Sequence, residues 1–179
     1  GSFIWRFKTG ARIESSPAVA NEIVYTVSDD GYIYGLNALT GGPVWTRYIG
    51  SDYPAALNSA QIVRSSPTVV ENKVYVGSIS GELYCLDAQT GTVDWTHETA
   101  GFITSSPAVA GDAVYITSQE ANAGALCKLN VYNGSLIWKT NLPNKVQPNS
   151  LDVQTSPVVA DGMVFVASNR QNYYGVNAA

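Results

Sequence analysis

Four short strings recur along this chain: Ser15-Ser16-Pro17, Ser65-Ser66-Pro67, Ser105-Ser106-Pro107 and Thr155-Ser156-Pro157. Their prolines stand 50, 40 and 50 residues apart. A repeat of this length constrains the fold more than composition does, because every copy must form the same small unit and bury it against its neighbours. After each proline comes a small apolar run (AVA, TVV, AVA, VVA), then an alternating segment (EIVYTVS, KVYVGS, AVYITS, MVFVAS). A turn and a second alternating segment follow: GYIYGLNA, GELYCLDA, GALCKLNV and YYGVNAA.

Alternation over five to eight residues bounded by Gly, Asn, Asp and Ser marks half-buried strands. Asp30-Gly31 and Ser80-Gly81 are hairpin turns, since Gly accepts positive φ without a Cβ clash. In the third copy a longer insertion, residues 119–124, takes the place of that turn. No stretch shows a sustained helical period. The prediction is an all-β chain whose unit is four strands joined by short turns. Units of this length with four strands and a fixed Gly–Trp signature are propeller blades. We therefore expect a β-propeller of four-stranded antiparallel blades, four per chain, in one domain spanning residues 1–179. The repeats run over approximately 11–50, 51–100, 101–142, and 151–179 together with 1–10.

Trp45, Trp95 and Trp138 each follow a turn glycine (Gly41, Gly91, Gly134) by four residues. Equivalent positions on successive blades spread these rings around the fold, which predicts packing rather than a ligand cage. Trp5 lacks the three strands that should precede it, whereas the fourth copy stops short of its own Gly–Trp strand. The run Gly1-Ser2-Phe3-Ile4-Trp5-Arg6 parallels Gly134-Ser135-Leu136-Ile137-Trp138-Lys139. The N-terminal strand is thus expected to complete the last blade, a device that leaves no open sheet edge.

The net charge of −4 argues against nucleic acid, which calls for a basic stripe. No apolar run reaches the ~18 residues of a membrane span, so no transmembrane segment is expected, and no signal peptide stands at the start. Cys85 and Cys127 fall one position out of step in neighbouring repeats. Because strand side chains alternate faces, the two thiols should point opposite ways, which argues against a disulfide and leaves the redox compartment open.

The strings SSPAVA, VYTVSDDGYIYGLNALTGGPVW and VYVGSISGELYCLDAQTGTVDW resemble pyrroloquinoline quinone (PQQ)-like repeats. In that family a tryptophan packs on the turn of an adjacent blade through the pattern Ala-x-Asp-x-x-Thr-Gly-x-x-x-Trp. Its core stands at Leu36–Gly41 with Trp45, and again at Leu86–Gly91 with Trp95. The third copy departs, with Val131 for the small Ala and Asn133 for Thr, which implies looser docking there. The resemblance implies rings of seven or eight blades. It also spans several functions: quinone-dependent dehydrogenases, an outer-membrane assembly lipoprotein, lumenal sensors of stress kinases and cell-surface domains.

The family's enzymes hold PQQ and calcium at the ring centre, and many press a disulfide of adjacent cysteines onto the quinone. That vicinal pair is absent here. The strand carrying Ser-Ser-Pro should line the channel, placing Glu14, Arg64, Thr104 and Gln154 at its mouth, where Glu14 and Arg64 are candidates to hold a polar ligand. Asp29-Asp30-Gly31 lacks the later ligands of a calcium loop and reads as a turn. His97, the only histidine, is expected at the surface. Asn133-Gly134-Ser135 fits a glycosylation sequon but occupies the docking turn. Two segments outside the repeat, Ser51–Gln61 and Leu142–Leu151, form the candidate contact surface, with Tyr53 and Asn149.

The expectation is a non-catalytic propeller that binds a protein or a small polar ligand, with no cofactor, placed outside the cytoplasm by resemblance. The alternatives are part of a quinoprotein dehydrogenase using PQQ and calcium, and a cell-surface or carbohydrate-contacting domain. Closing four blades alone needs about 90° per blade, twice the wedge of an eight-bladed ring. A head-to-tail homodimer of eight blades is therefore also expected.

Overall fold

Val, Ile, Tyr and Thr at every second position, punctuated by glycine turns, leave the chain little choice but short twisted strands. The computed structural model describes residues 1–50, 65–120, 124–142, 155–168 and 172–179, and among these no helix occurs. Blade 1 consists of β1 (Ala18–Ala20), β2 (Ile23–Val27), β3 (Tyr32–Asn37) and β4 (Pro43–Tyr48). Blade 2 has β5 (Thr68–Val70), β6 (Lys73–Gly77), β7 (Glu82–Asp87) and β8 (Val93–Glu98). Blade 3 has β9 (Ala108–Ala110), β10 (Ala113–Gln119), β11 (Gly124–Asn130) and β12 (Leu136–Asn141). Blade 4 has β13 (Val158–Ala160), β14 (Met163–Ala167) and β15 (Tyr173–Asn177). Each sheet is an antiparallel meander in chain order. A register shift recurs beside the tryptophan's partner, between Gly35 and Leu36, Cys85 and Leu86, and Lys128 and Leu129.

The innermost strands touch in the order β1, β5, β9, β13, so the blades stand side by side with blades 1 and 4 at the ends of the row. Three apolar layers fill the gaps between successive blades, centred on Tyr25 and Leu86, on Tyr75 and Cys127, and on Tyr115 and Val164.

The Ser-Ser-Pro string has two jobs. The first hydroxyl latches its own blade: Ser105 Oγ donates to Thr117 O (3.1 Å) and accepts from Thr117 N–H (3.0 Å), and Ser15 does the same with Val27. Thr155 keeps the latch in the fourth copy, bonding Ala167 O and N–H, because only the hydroxyl matters. The second serine ties blade to blade. Ser16 N–H donates to Ser66 Oγ, Ser66 N–H to Ser106 Oγ, and Ser106 N–H to Ser156 Oγ, all within 2.9–3.0 Å. Replacing fully buried Ser105 by alanine strands a buried N–H and carbonyl. The expected loss is about 1–3 kcal/mol in urea titration, with the m-value unchanged.

The N-terminal segment departs from expectation. Among the described residues blade 4 has three strands, and residues 1–9 are not paired to β15. The segment lies instead against blade 1. Phe7 meets Tyr34 edge-on at 5.4 Å, Gly10 N–H donates to Asp30 Oδ2 (2.7 Å), and Trp5 Nε1–H donates to Ala38 O (2.9 Å). Blade 4 stands at the other end of the row, so one copy cannot dock on blade 1 and pair with its own β15.

Candidate functional site

The tryptophans set the spacing of the blades. Trp45 Nε1–H donates to Ala88 O of blade 2 (2.8 Å), and Trp95 Nε1–H to Val131 O of blade 3 (3.1 Å). Each indole lies flat over the turn glycine of the next blade. A Cβ on Gly41, Gly91 or Gly134 would fall 2.4–2.5 Å from Trp5, Trp45 or Trp95 respectively, and these glycines hold φ near +70°. The turn is shaped by one side chain: Asn37 Oδ1 accepts from Leu39 N–H, Thr40 N–H and Thr40 Oγ1, and Asp87 Oδ1 repeats the set with Gln89 and Thr90. In blade 3 Asn133 Oδ1 accepts from Ser135 N–H, so Asn stands in for Thr, and the longer Trp95 bond follows the bulkier Val131. Trp138 differs. Among the described residues its buried Nε1 has no partner, and the equivalent carbonyl, Ala178 O, accepts from Lys128 Nζ and Tyr115 OH instead.

The side chain two residues after the tryptophan caps the same turn. Arg47 Nε donates to Gly91 O (2.8 Å), and His97 bonds the Gly134 backbone. His97 is half-buried, its ring held against the neighbouring blade's turn. Burial lowers its pKa below 6.5, against the opposing effect of the Gly134 bond. With the folded pKa depressed, the unfolded chain takes the proton first, so stability falls as pH drops through about 6.5. Melting temperatures at pH 7.5 and 5.0 should differ less for His97→Gln than for the parent.

Cys85 and Cys127 are both free and buried. They do face opposite sides of their own sheets, but one side of blade 2 stacks on the other side of blade 3, so both thiols enter the same apolar layer. Burial pushes Cys85 up to about 12 and Cys127 to about 11, leaving neither a nucleophile at neutral pH. Bulk at Cys85 and Val131, where blade 1 has Gly35 and blade 2 has Ala88, accompanies a cleft of about 610 Å³ between blades 2 and 3. It is lined by Trp95, the Lys73–Asp94 ion pair and the Asp112–Tyr132 hydrogen bond, which suits a small polar ligand.

The opposite face carries the hairpin turns and the described connection from β8 to β9, in which Phe102 bridges Gln119. Asp30 ends there as a turn residue, its carboxylate accepting from Gly10 N–H, Tyr32 N–H and Tyr34 OH. Its pKa is lowered, the penalty of burial being outweighed by these bonds. Glu14 is exposed on this face, close enough to Asp29 to help raise that carboxyl's pKa, after the larger effect of burial. Arg64, Tyr53, Asn149 and Gln154 lie outside the described residues, as do the whole of Ser51–Gln61 and all of Leu142–Leu151 except Leu142. Sequence reasoning missed the aromatics on this face. Tyr32 and Tyr48 stand 5.1 Å apart at 62° and are each exposed, as is Phe102. Tyr at the end positions of β3 and β4 was the available signal.

A family model described as outer membrane protein assembly factor BamB matches residues 1–99 and 58–179, together the whole chain. BamB from Moraxella catarrhalis superposes with a TM-score of 0.76 at 18% identity, over 99% of this chain and 53% of that one. A quinohemoprotein alcohol dehydrogenase from Pseudomonas putida HK5 gives 0.77 at 19%, over 97% and 34%. The computationally designed Ika4 protein gives 0.74 at 16%, over 100% and 99%. No curated protein sequence matches the chain significantly. The chain spans about half the length of the BamB structure.

Proposed function

Because the chain belongs to the family of the outer membrane protein assembly factor BamB, a family of PQQ-like repeat propellers, we propose that it is a non-catalytic module that binds other proteins outside the cytoplasm. The observation that carries this reading is the exposed aromatic set Tyr32, Tyr48 and Phe102 on the face that bears the hairpin turns. Rigid aromatics on a strand scaffold offer large contact area with few rotors to freeze, the composition that dominates protein interfaces. The dehydrogenase likeness supports the blade geometry alone. The same reading has two copies of the chain forming one ring of eight blades, with both aromatic sets on a shared face.

The test uses a labelled extended peptide of alternating aromatic and polar residues, followed by fluorescence anisotropy. Binding should weaken about 10-fold or more in Tyr32→Ser/Tyr48→Ser. PQQ with calcium should leave the melting temperature unchanged. A saturable upward shift with PQQ and calcium, together with no peptide binding, would reverse the assignment in favour of a quinoprotein.

A further inference from the structure

We propose that residues 3–8 of one copy of this chain form the fourth strand on β15 of a second copy, and that the exchange, made twice, closes the ring. Five observations at the two ends of the row converge on it.

The outer edge of β15 is unpaired among the described residues, whereas β3, β7 and β11 each carry a fourth strand. Residues 1–6 have the sequence of such a strand, paralleling 134–139. Trp5 already occupies, on blade 1, the seat that Trp45 takes on blade 2 and Trp95 on blade 3. The N-terminal segment is therefore held where the outermost strand of a preceding blade belongs.

The serine chain has matching loose ends. Among the described residues Ser16 Oγ receives no donor and Ser156 N–H meets no acceptor, although every internal step of the chain is made. Joining blade 4 of one copy to blade 1 of another supplies the missing step.

The apolar faces agree. Phe165 is 42% exposed, while Tyr25, Tyr75 and Tyr115 at the same position are at most 3% exposed. Those tyrosines lean on the tryptophan of their own blade at 5.8–6.1 Å, and Phe165 lacks one. Val158 is 61% exposed on the side of blade 4 that would face a following blade, and Val19 64% on the side of blade 1 that would face a preceding one.

The occupant is a second copy rather than the chain's own N-terminus, because Trp5 is docked at the far end of the row. The blade-to-blade curvature is that of longer propeller chains: the four blades superpose on 53% of BamB with a TM-score of 0.76 and on 45% of the designed Ika8 chain with 0.70. Repeating the registers of blades 1 to 3 pairs Trp5 with Gly175, Arg6 with Tyr174, Phe7 with Tyr173 and, past the shift, Phe3 with Val176. Gly175 suits this, since Trp45 covers the equivalent Gly35 so closely that a Cβ there would sit 2.6 Å from the indole.

This assembly rests on the propeller reading but not on peptide binding. A monomer that binds the aromatic peptide sinks the exchange alone, and a dimer that ignores the peptide sinks the scaffold role alone. The experiment mixes Arg6→Cys chains with Tyr174→Cys chains under mild oxidation. A disulfide-linked species of twice 19.1 kDa is expected in the mixture and in neither variant alone. The native thiols are buried and serve as a silent background. Light scattering on the parent should give the same doubled mass, and Ser16→Ala should raise the dimer dissociation constant about 10-fold. A parent that stays monomeric at high concentration, or an intramolecular disulfide in the Arg6→Cys/Tyr174→Cys double variant, overturns the proposal.

Discussion

Trp45→Ala is expected to destabilise the protein by about 3–5 kcal/mol, lowering the melting temperature by roughly 10 °C. The indole is only 8% exposed and sits in three environments at once. Its ring tilts against Tyr25 at 5.8 Å, its face covers Gly91 of the next blade, and its N–H reaches Ala88 O. Truncation removes the contact between two blades and halves the donors on Ala88 O, leaving Tyr25 OH at 3.1 Å. A repeat array draws its cooperativity from such nearest-neighbour contacts, so calorimetry should show a broader transition as well as a lower one. A loss below about 1 kcal/mol would mean that the apolar layer, and not the docked indole, joins blades 1 and 2.

Gly91→Ala should be nearly as damaging, about 3 kcal/mol, although it adds a single methyl group. The new Cβ would fall 2.5 Å from the Trp45 ring, and the backbone at φ +67° already disfavours any L side chain. Gly111→Ala is the matched control. Its φ is +55°, but nothing lies within 4 Å of the added Cβ, so only the backbone strain remains. Urea titration of the pair separates the two costs. Equal losses would mean that the tryptophan yields freely, and the close stacking would then contribute little to blade spacing.

Most of the blade was legible in the chain because its signals are local. Period-two alternation, turn glycines and the recurrence of Trp four residues after Gly specify strands and turns through short-range sterics, and the four-stranded order follows from hairpin connections. The docking seats were legible by resemblance. The candidate face was legible only in part. Arg64, Tyr53 and Asn149 fall outside the described residues, while Tyr32 and Tyr48 sit on strand ends and read from sequence as ordinary core alternation. The bond of His97 to the Gly134 backbone was not legible, because it reaches a neighbouring blade 37 positions away.

The sequence by itself thus determined the unit: four-stranded blades, their number, and the tryptophan and serine positions that recur in each. What only the tertiary structure decided is how units meet. Face alternation correctly sent Cys85 and Cys127 to opposite sides of their own sheets, yet stacking brought both into one layer. The likeness of the N-terminal strand to a missing fourth strand was visible in the letters, but not where that strand rests. Docking of Trp5 on Ala38 and Gly41 puts it at the opposite end of the row from β15. Local rules act within a blade; the wedge between blades comes from the thickness of the packed layers, which no single copy of the repeat contains.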